Sequence, residues 1–275
     1  MTKSGVSADF SKIIECIYKD VKCCIKIEND FITDFFGSSK GVRQGCQLSA
    51  TLFNMYMADL KSYIGENTHA PCINKFEVPF LLYADDLVIL SETPIGLTRA
   101  LKKLDNYCVL WDLDINIEKT KILIFSKGYK LSKKYKWYSR QQEIEIVKSI
   151  RYLGVTVTQN GKWGTHIEEV INRGKKYIGA IRNGMYKWNG HGNIEIMGKI
   201  FFSIVQQAML YGCEVWGDDK KLDKIDSVMK SLAKELLGVS KSVPGEAALG
   251  ELGWLKMRYV VMKRQIKYYY KLKYI

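Results

Sequence analysis

Two adjacent carboxylates interrupt the apolar run FLLYADDLVIL at residues 80–90. Burying an unpaired carboxylate is costly, so Asp85 and Asp86 require water or a cation. Neighbouring side chains of a regular strand point to opposite faces, so both can approach one cation only if the chain turns there. A hairpin of FLLY and LVIL would provide this turn, and its oxygen ligands suit Mg²⁺. The alternative is a solvated turn that happens to contain two aspartates.

A second candidate is the loop GVRQG at residues 41–45, which precedes a predicted helix. Gly41 and Gly45 allow the backbone to approach a ligand closely, and Arg43 supplies positive charge. Ser49 is the predicted N-cap of the helix. The apolar stripe of that helix consists of Leu52, Phe53, Tyr56, Met57 and Leu60. The alternative is an ordinary loop followed by a helix cap.

Hydrophobic periodicity predicts a mixed first part and a helical second part of the chain. Strands are predicted at 21–27, 31–36, 76–82, 87–90, 113–118, 121–125 and 152–157, and helices at 10–21, 49–60 and 94–111. After a turn at 159–161, a helix opened by a capping box of Thr165 and Glu168 is predicted, then helices at 194–211, 221–237 and from 255. The predicted fold class is α+β, with a boundary near residue 163.

Composition narrows the class of partner and compartment. The chain has 275 residues, 47% of them apolar, and a net charge of +13, which favours a polyanionic partner. No apolar run is long enough for a transmembrane helix and no secretory signal is present, so no membrane association is predicted. Seven cysteines without a CxxC pair, together with three histidines, indicate free thiols rather than disulfides or zinc. We expect an intracellular protein of the nucleus or cytoplasm.

The segments that could do chemistry follow a fixed order. GVRQG opens a helix, YADD comes about 40 residues later, and LDINIEKTKILIF and YLGV follow. This ordered set resembles the reverse transcriptases of non-LTR (LINE-type) retrotransposons. YGCEVWG (211–217) and LGELGW (249–254) resemble the downstream helical region of that family, so the resemblance covers the whole chain. It implies a right-hand polymerase, with partial fingers and palm at 1–163 and a helical thumb with its following region at 164–275.

The resemblance implies RNA-directed DNA polymerisation, in which a primer 3′-hydroxyl attacks the α-phosphate of a dNTP. Two Mg²⁺ ions, about 3.5–4 Å apart, would assist this step. Asp85 and Asp86 match the second and third metal-binding carboxylates of the family, and we expect Asp85 to bind metal more directly. The implied partners are an RNA template, a DNA primer and dNTP.

Further site residues follow from the same resemblance. Nucleotide binding is expected at Arg43, Gln44, Gly45 and Lys119, and primer binding at Tyr83 and Ala84. Tyr152, Leu153 and Gly154 match the hairpin with which the family grips the primer. Lys119 matches a lysine near the triphosphate that could act as a general acid. On the residues alone, Lys119 is equally a solvated hairpin lysine, and the 152–154 stretch is equally plain strand core.

The sequence departs from the family at the first metal-binding aspartate, which normally lies on a palm strand in a pattern near Ala-Phe-Asp. Asp9 in SADFSK is the nearest candidate, but it lies at the start of a predicted helix and is rejected. The helix and strands predicted within residues 8–36 match the elements that normally come after the missing strand, so we expect Met1 to lie just after it. Gln47 and Ala50 stand where the family has proline at a helix start.

Three functions remain open at this point. The first is a reverse transcriptase that keeps two of its three catalytic carboxylates, which we expect to be inactive as this chain alone. The second is a non-catalytic remnant that binds RNA or DNA through its basic surface. The third, a hydrolytic metal enzyme using Asp85 and Asp86, is disfavoured because the sequence offers no water-activating base beside them.

Two stretches combine cations with aromatic residues, a composition typical of nucleic-acid surfaces. The segment KGYKLSKKYKWYSR (127–140) interleaves six Lys or Arg with Tyr129, Tyr135, Trp137 and Tyr138. The terminal helix carries Lys256, Arg258, Lys263, Arg264, Lys267, Lys271 and Lys273. The alternatives are a solvated loop for the first stretch and a hydrated helix face for the second.

Overall fold

Helices are the longest elements of the computed structural model, which describes residues 5–27, 32–38, 40–65, 67–126, 135–186 and 194–274. They are α1 (Ala8–Lys19), α2 (Gln47–Tyr56), α3 (Leu60–Ile64), α4 (Pro94–Leu110), α5 (Gly164–Tyr186), α6 (Ile194–Ile200), α7 (Gln206–Met209), α8 (Cys213–Trp216), α9 (Asp226–Leu236), α10 (Gly245–Glu251) and α11 (Met257–Lys273). A π-helical turn (Phe201–Val205) joins α6 to α7, and a 3-10 helix (Lys220–Ile225) leads into α9.

The strands of the described ranges form two-stranded ladders. They are β1 (Lys22–Cys23), β2 (Phe36–Gly37), β3 (Cys72–Ile73), β4 (Phe76–Glu77), β5 (Phe80–Tyr83), β6 (Asp86–Ile89), β7 (Lys121–Leu123), β8 (Tyr138–Ser139), β9 (Gln142–Glu143), β10 (Glu145–Val147), β11 (Ser149–Tyr152) and β12 (Val155–Thr158). Sequential strands pair as antiparallel ladders, whereas β7 and β10 pair in parallel. The α+β class is confirmed, and in the described part after residue 163 all elements are helical.

The chain divides into two compact units, Met1–Ile117 with Lys133–Ile144, and Glu118–Ser132 with Glu145–Ile275. In the first unit, α4 begins after Thr93, whose hydroxyl accepts a hydrogen bond from the Gly96 N–H at 3.0 Å. The core around α4 contains Met57, Leu60, Ile64, Ala100, Leu104, Tyr107 and Cys108. The Tyr107 hydroxyl donates to Asp59 at 2.6 Å, and burial raises the pKa of Tyr107.

The second unit has a larger apolar core, built by the helices from α5 onward. Trp216, fully buried, donates its Nε1–H to the Tyr211 carbonyl at 3.1 Å. Phe201 stacks on Trp254 with ring centroids 5.5 Å apart. Core side chains of α5 and α9 include Ile167, Val170, Ile178, Val228, Met229 and Leu232. Within the described ranges, no helix combines the length and the apolar character that a bilayer crossing needs.

The prediction of a strand at 113–118 is wrong. Leu113 and Ile115 do pack on the first unit's core, but this extended segment pairs with no strand in the described residues. The Arg140 guanidinium instead donates to the Leu113 carbonyl at 2.6 Å and pairs with Asp114. The alternation of apolar and polar residues at 113–118 therefore reflects an extended segment that packs one side on the core and forms no β ladder with any described strand.

Two predicted helix caps are also wrong. α2 begins at Gln47 with Cys46 at the N-cap, and the Ser49 hydroxyl donates to the Arg43 carbonyl at 2.6 Å instead. α5 begins at Gly164, so Thr165 lies inside the first turn and the predicted capping box is not the helix boundary. In both cases the helix starts before the polar residue that typically marks a cap.

Several other strands are shorter than predicted. The stretch 21–27 keeps only β1 and a bridge from Lys26 to Ile32. The stretch 31–36, whose residue 31 lies outside the described ranges, contributes that bridge and the start of β2. The single strand predicted at 152–157 is split by a turn at Leu153 and Gly154, both with positive φ. By contrast, the helices predicted at 94–111 and 194–211 and the turn at 159–161 are confirmed.

Candidate functional site

The two aspartates lie at the tip of the predicted hairpin, and its existence is confirmed. β5 pairs with β6 in antiparallel register, with Tyr83 opposite Asp86 and Phe80 opposite Ile89. The connection is therefore the two residues Ala84 and Asp85. Ala84 has φ of 52°, a conformation that an L-residue with a Cβ rarely adopts. Two-residue hairpin connections need such an angle because it matches the twist of the strands.

One face of this hairpin is anchored and its tip is in water. Phe80, Leu82, Leu87 and Ile89 are partly buried against the core of the first unit. Tyr83 is 65% exposed, and both aspartates are exposed. The carboxylates are therefore hydrated rather than buried, so the cost of desolvation inferred from the apolar run does not apply to them.

The geometry fits a divalent cation at the tip. Asp85 lies in the turn and Asp86 at the first position of β6, so the chain bends between two neighbouring carboxylates as the cation hypothesis requires. Mg²⁺ takes one or two protein carboxylates with substrate phosphates as further ligands. In the part of the chain that the structure describes, no acidic, His or Cys side chains assemble in groups of three or more that could hold a metal. The site therefore offers two carboxylates there.

The glycine loop before α2 is held by Arg43. Its Nη2 donates to the Ile17 carbonyl in the last turn of α1 at 2.8 Å, and its guanidinium lies 5.8 Å from the Tyr18 ring centroid. Gly45 has φ of 79°, and a Cβ added there would meet no atom within 4 Å. Arg43 thus ties the loop to α1 and leaves the backbone at Gly45 accessible. Nucleotide binding by Arg43, Gln44 and Gly45 stays a prediction.

The predicted primer-binding residues of the second unit lie at the tip of a second hairpin, formed by β11 and β12. Tyr152 pairs with Val155, so the connection is Leu153 and Gly154, with φ of 45° and 83°. Positive φ at both central residues is typical of the turn that joins two-residue hairpins. The 152–154 stretch is therefore a hairpin tip, as the family resemblance implied, rather than plain strand. Lys119 belongs to the same unit and lies exposed in the turn before β7.

Comparison with known proteins decides the family. Residues 6–157 match the family model described as reverse transcriptase (RNA-dependent DNA polymerase), and this range includes the first hairpin and the second up to Val157. The chain belongs to the reverse transcriptase family. The prediction from the ordered motifs is confirmed.

Two relatives of this chain derive from mobile elements. The chain is 25% identical over 173 residues to a transposon-derived protein of Caenorhabditis elegans, a match that covers 61% of this chain and 60% of that protein. It is 31% identical over 142 residues to the retrovirus-related Pol polyprotein of the type-2 retrotransposable element R2DM of Drosophila melanogaster, which covers 46% of this chain and 13% of that protein. The chain therefore spans less than two thirds of the length of either relative.

The basic stretch 127–140 is only partly described, because residues 127–134 lie outside the described ranges. The interpretation of Trp137 as a ring for base stacking is wrong, because Trp137 is 4% exposed and donates its Nε1–H to the Pro94 carbonyl at 3.3 Å. Tyr135 stacks on the Trp137 ring, whereas Tyr138 is 50% exposed.

Sequence reasoning missed the residues that hold the second hairpin. The Thr156 N–H of β12 donates to Nδ1 of His166 at 3.1 Å, and the Thr156 hydroxyl donates to Glu169 at 2.6 Å. His166 is 1% exposed, and burial lowers its pKa. Both partners belong to the first turns of α5, so this helix fixes one strand of the hairpin.

The segment after α7 holds the tip of the same hairpin. A Cβ on Gly154 would lie 3.0 Å from the Tyr211 ring, and a Cβ on Gly212 would lie 3.0 Å from Val155. Close packing on both sides, together with φ of 83° at Gly154 and 66° at Gly212, therefore favours glycine at both positions. The sequence signal for this contact was the motif YGCEVWG (211–217). It was part of the family resemblance, but no contact of Tyr211 was predicted from it.

Proposed function

We propose that this chain provides the metal-binding hairpin and the nucleotide and primer contacts of an RNA-directed DNA polymerase from a retrotransposon. The observation that carries the proposal is the exposed hairpin tip at Tyr83–Asp86, with two adjacent carboxylates, inside the stretch that matches the reverse transcriptase family. The chemistry that Mg²⁺ supplies when bound is Lewis acidity toward the triphosphate and the attacking hydroxyl.

The residues of the tip take distinct roles in this proposal. Asp85 and Asp86 would hold the two Mg²⁺ ions of the intact enzyme, and Asp85, in the turn itself, would be the more direct ligand. Tyr83 and Ala84 lie beside the primer terminus. Support comes from the packed end of the hairpin, which fixes the exposed tip on a rigid base.

Substrate contacts are assigned to the other loops. The loop of Arg43, Gln44 and Gly45 contacts the incoming dNTP, and its open backbone at Gly45 supports this role. Lys119 donates a proton near the triphosphate. The primer strand is gripped by the hairpin tip of the second unit, which consists of Tyr152, Leu153 and Gly154.

The division into regions and the partners are part of the same proposal. Residues 1–163 form partial fingers and palm, and 164–275 form a thumb with the region that follows it. The partners are an RNA template, a DNA primer and dNTP, in the nucleus or cytoplasm. A net charge of +13 supports a polyanionic substrate.

A second candidate function is nucleic-acid binding without catalysis. It is favoured by one observation: among the described residues no group of three or more acidic, His or Cys side chains could hold a metal, whereas the family uses three carboxylates. With one carboxylate fewer, the site would hold a second Mg²⁺ less firmly. We therefore expect this chain alone to extend no primer on an RNA template, and Asp85-dependent incorporation of dNTP would contradict that expectation.

Metal binding in the presence of dNTP tests the proposed site without requiring turnover. Mn²⁺ serves as a paramagnetic substitute for Mg²⁺, and its bound fraction is measured by electron paramagnetic resonance with and without dNTP. We expect dNTP to increase Mn²⁺ binding to the wild-type chain and to do so much less in Asp85→Asn and Asp86→Asn. Asp9→Asn is the matched control, because Asp9 is an exposed carboxylate of the same unit.

The outcomes separate the two candidates. Nucleotide-dependent Mn²⁺ binding that needs Asp85 supports a polymerase site. Binding of a primer–template duplex that weakens with salt, together with Mn²⁺ binding unaffected by Asp85→Asn and Asp86→Asn, supports the non-catalytic function. Loss of Mn²⁺ binding in Asp9→Asn would show that Asp9 is a metal ligand.

A further inference from the structure

The last helix, α11, is strongly basic and only partly covered. Met257 and Val261 are buried in the core of the second unit. Met257–Lys273 contains six Lys or Arg and no acidic residue. Arg258 pairs with Asp223 at 2.9 Å, and Arg264 donates to the Leu210 carbonyl at 3.0 Å. The arginines therefore attach the helix to its own unit.

The lysines of α11 are arranged differently. Within the described ranges no carboxylate pairs with Lys263, Lys267, Lys271 or Lys273. A helix face that is simply hydrated usually mixes both signs of charge, because i,i+4 ion pairs stabilise it. Four unneutralised lysines on one helix indicate a partner that carries negative charge.

Aromatic rings share the outer side of the helix with two of these lysines. Tyr259, Lys263, Lys267, Tyr270 and Tyr274 follow one another at spacings of four, four, three and four residues. At 100° per residue they fall on one side of the helix, opposite Met257 and Val261. These five residues are here called the tyrosine–lysine stripe, and at about 1.5 Å per residue it is about 22 Å long.

The rings of the stripe are open to solvent. Tyr259, Tyr270 and Tyr274 are 56%, 54% and 76% exposed. The rings of Tyr270 and Tyr274 are nearly parallel, with centroids 6.4 Å apart, and the Lys273 ammonium lies 5.8 Å from the Tyr274 ring. Flat exposed rings beside ammonium groups are the combination by which proteins hold unpaired bases and their phosphates.

The arrangement argues against the other polyanionic surfaces. A helix that lies on a membrane places its cations on one face and its apolar residues on the opposite face, whereas the stripe has rings and cations on the same face. A duplex hides the faces of its bases, so the rings would have nothing to stack on. A second copy of α11 would bring lysines against lysines.

We propose that the tyrosine–lysine stripe binds a single strand of nucleic acid. Lys263 and Lys267 contact phosphates, and Tyr259, Tyr270 and Tyr274 stack on bases. The proposal goes beyond the polymerase site, since it uses neither Asp85 and Asp86 nor a metal. RNA and single-stranded DNA share the required chemistry, and the experiment compares them.

Fluorescence anisotropy with labelled 20-mers of uridine and of thymidine, without metal or dNTP, measures the binding. We expect Tyr270→Ala to weaken it about tenfold and Tyr270→Phe to retain it, because stacking needs the ring and not the hydroxyl. Lys263→Gln with Lys267→Gln should lower the slope of log affinity against log salt by about 1.4. The matched controls, Tyr268→Ala and Lys271→Gln, change residues of the same helix outside the stripe and should weaken binding much less than the corresponding stripe variants.

Each other outcome would overturn the proposal. These outcomes are binding of neither 20-mer, a loss in the two controls equal to that in the stripe variants, equal affinity for a duplex, and binding to vesicles of anionic lipid in preference to either oligonucleotide. Stripe-dependent binding of the uridine or the thymidine strand supports it, and the tighter of the two identifies the natural source. Because the assay lacks metal and dNTP, failure of the polymerase proposal leaves its result unaffected.

Discussion

The backbone N–H of Thr156 donates a hydrogen bond to Nδ1 of His166 over 3.1 Å, which ties β12 to α5. Nδ1 can accept this bond only when it carries no proton. Burial lowers the pKa of His166, Arg173 and Arg151 lower it further, and Glu169 opposes them. The hairpin that we assign to the primer is therefore held by a neutral histidine.

This bond predicts a pH dependence of stability. The pKa of His166 is lower in the folded chain than the usual 6.5, so below about pH 6.5 the unfolded chain binds the proton more readily. Stability that is present above pH 6.5 is lost as the pH falls toward the folded pKa. We expect His166 to account for up to about 1.4 kcal/mol per pH unit of that loss, measured by urea unfolding between pH 8 and pH 5.5.

His166→Asn isolates this contribution, because an amide oxygen can replace Nδ1 as acceptor but does not titrate. The difference between wild type and His166→Asn should shrink as the pH falls. His69→Asn is the control, since His69 is exposed and contacts Thr93 in the first unit. A pH dependence that persists in His166→Asn and disappears in His69→Asn would contradict the prediction.

Gly154 predicts a steric coupling to Tyr211. Gly154→Ala places a Cβ at a φ of 83° and 3.0 Å from the Tyr211 ring, so we expect it to cost about 1–2 kcal/mol of unfolding free energy. In a Tyr211→Ala background the steric part disappears and the cost should be smaller. Gly161→Ala is the matched control, because φ there is 67° and no atom lies within 4 Å of the added Cβ. Equal costs at Gly154 and Gly161 would show that Tyr211 does not constrain the tip.

At the tip of the first hairpin we predict that a substitution to glycine stabilises the chain. Ala84 has φ of 52°, which glycine adopts without strain, so we expect Ala84→Gly to stabilise the chain by about 1 kcal/mol. Ala50→Gly, at an exposed position inside α2, should instead destabilise by about 1 kcal/mol. Thermal or urea unfolding measures both. Destabilisation by Ala84→Gly would show that the backbone at Ala84 is not strained.

How far the sequence predicts the site depends on whether the signal is local. The hairpin at 80–89 was predictable because its signal lies within ten residues. Two apolar stretches flank a short polar centre, and this pattern is typical of two strands joined by a tight turn. The tip of the second hairpin was predictable from resemblance alone, because YLGVTV also reads as one continuous strand. Its turn contains Gly154, where a φ of 83° and the close approach of the Tyr211 ring both favour glycine.

Contacts distant in sequence account for what could not be predicted. The alternation at 113–118 reports burial of Leu113 and Ile115, but only the distant Arg140 shows that the Leu113 carbonyl is occupied by a guanidinium. Trp137 has the composition of a stacking residue, and its burial against Pro94 depends on tertiary packing. Similarly, periodicity on α5 marked Ile167 as core but could not show that the neighbouring His166 accepts a bond from β12.

We predict that the thiol of Cys46, beside the glycine loop, is reactive. It precedes α2, where the backbone N–H of Leu48 above all, and also Ser49 and Tyr18, lower its pKa. Burial raises the pKa of Cys213 to about 11. Because the thiolate is the nucleophile, iodoacetamide should alkylate Cys46 well before Cys213 at neutral pH, which peptide mass spectrometry measures.

The pH profile distinguishes electrostatic activation of Cys46 from mere access. If the N–H groups at the start of α2 stabilise the thiolate, the midpoint of Cys46 alkylation should shift to higher pH when the chain is unfolded in urea, because this arrangement is then lost. For Cys213 the midpoint should shift to lower pH on unfolding, since burial no longer opposes ionisation. Midpoints of Cys46 that coincide in the folded and unfolded chain would show that α2 does not activate this thiol.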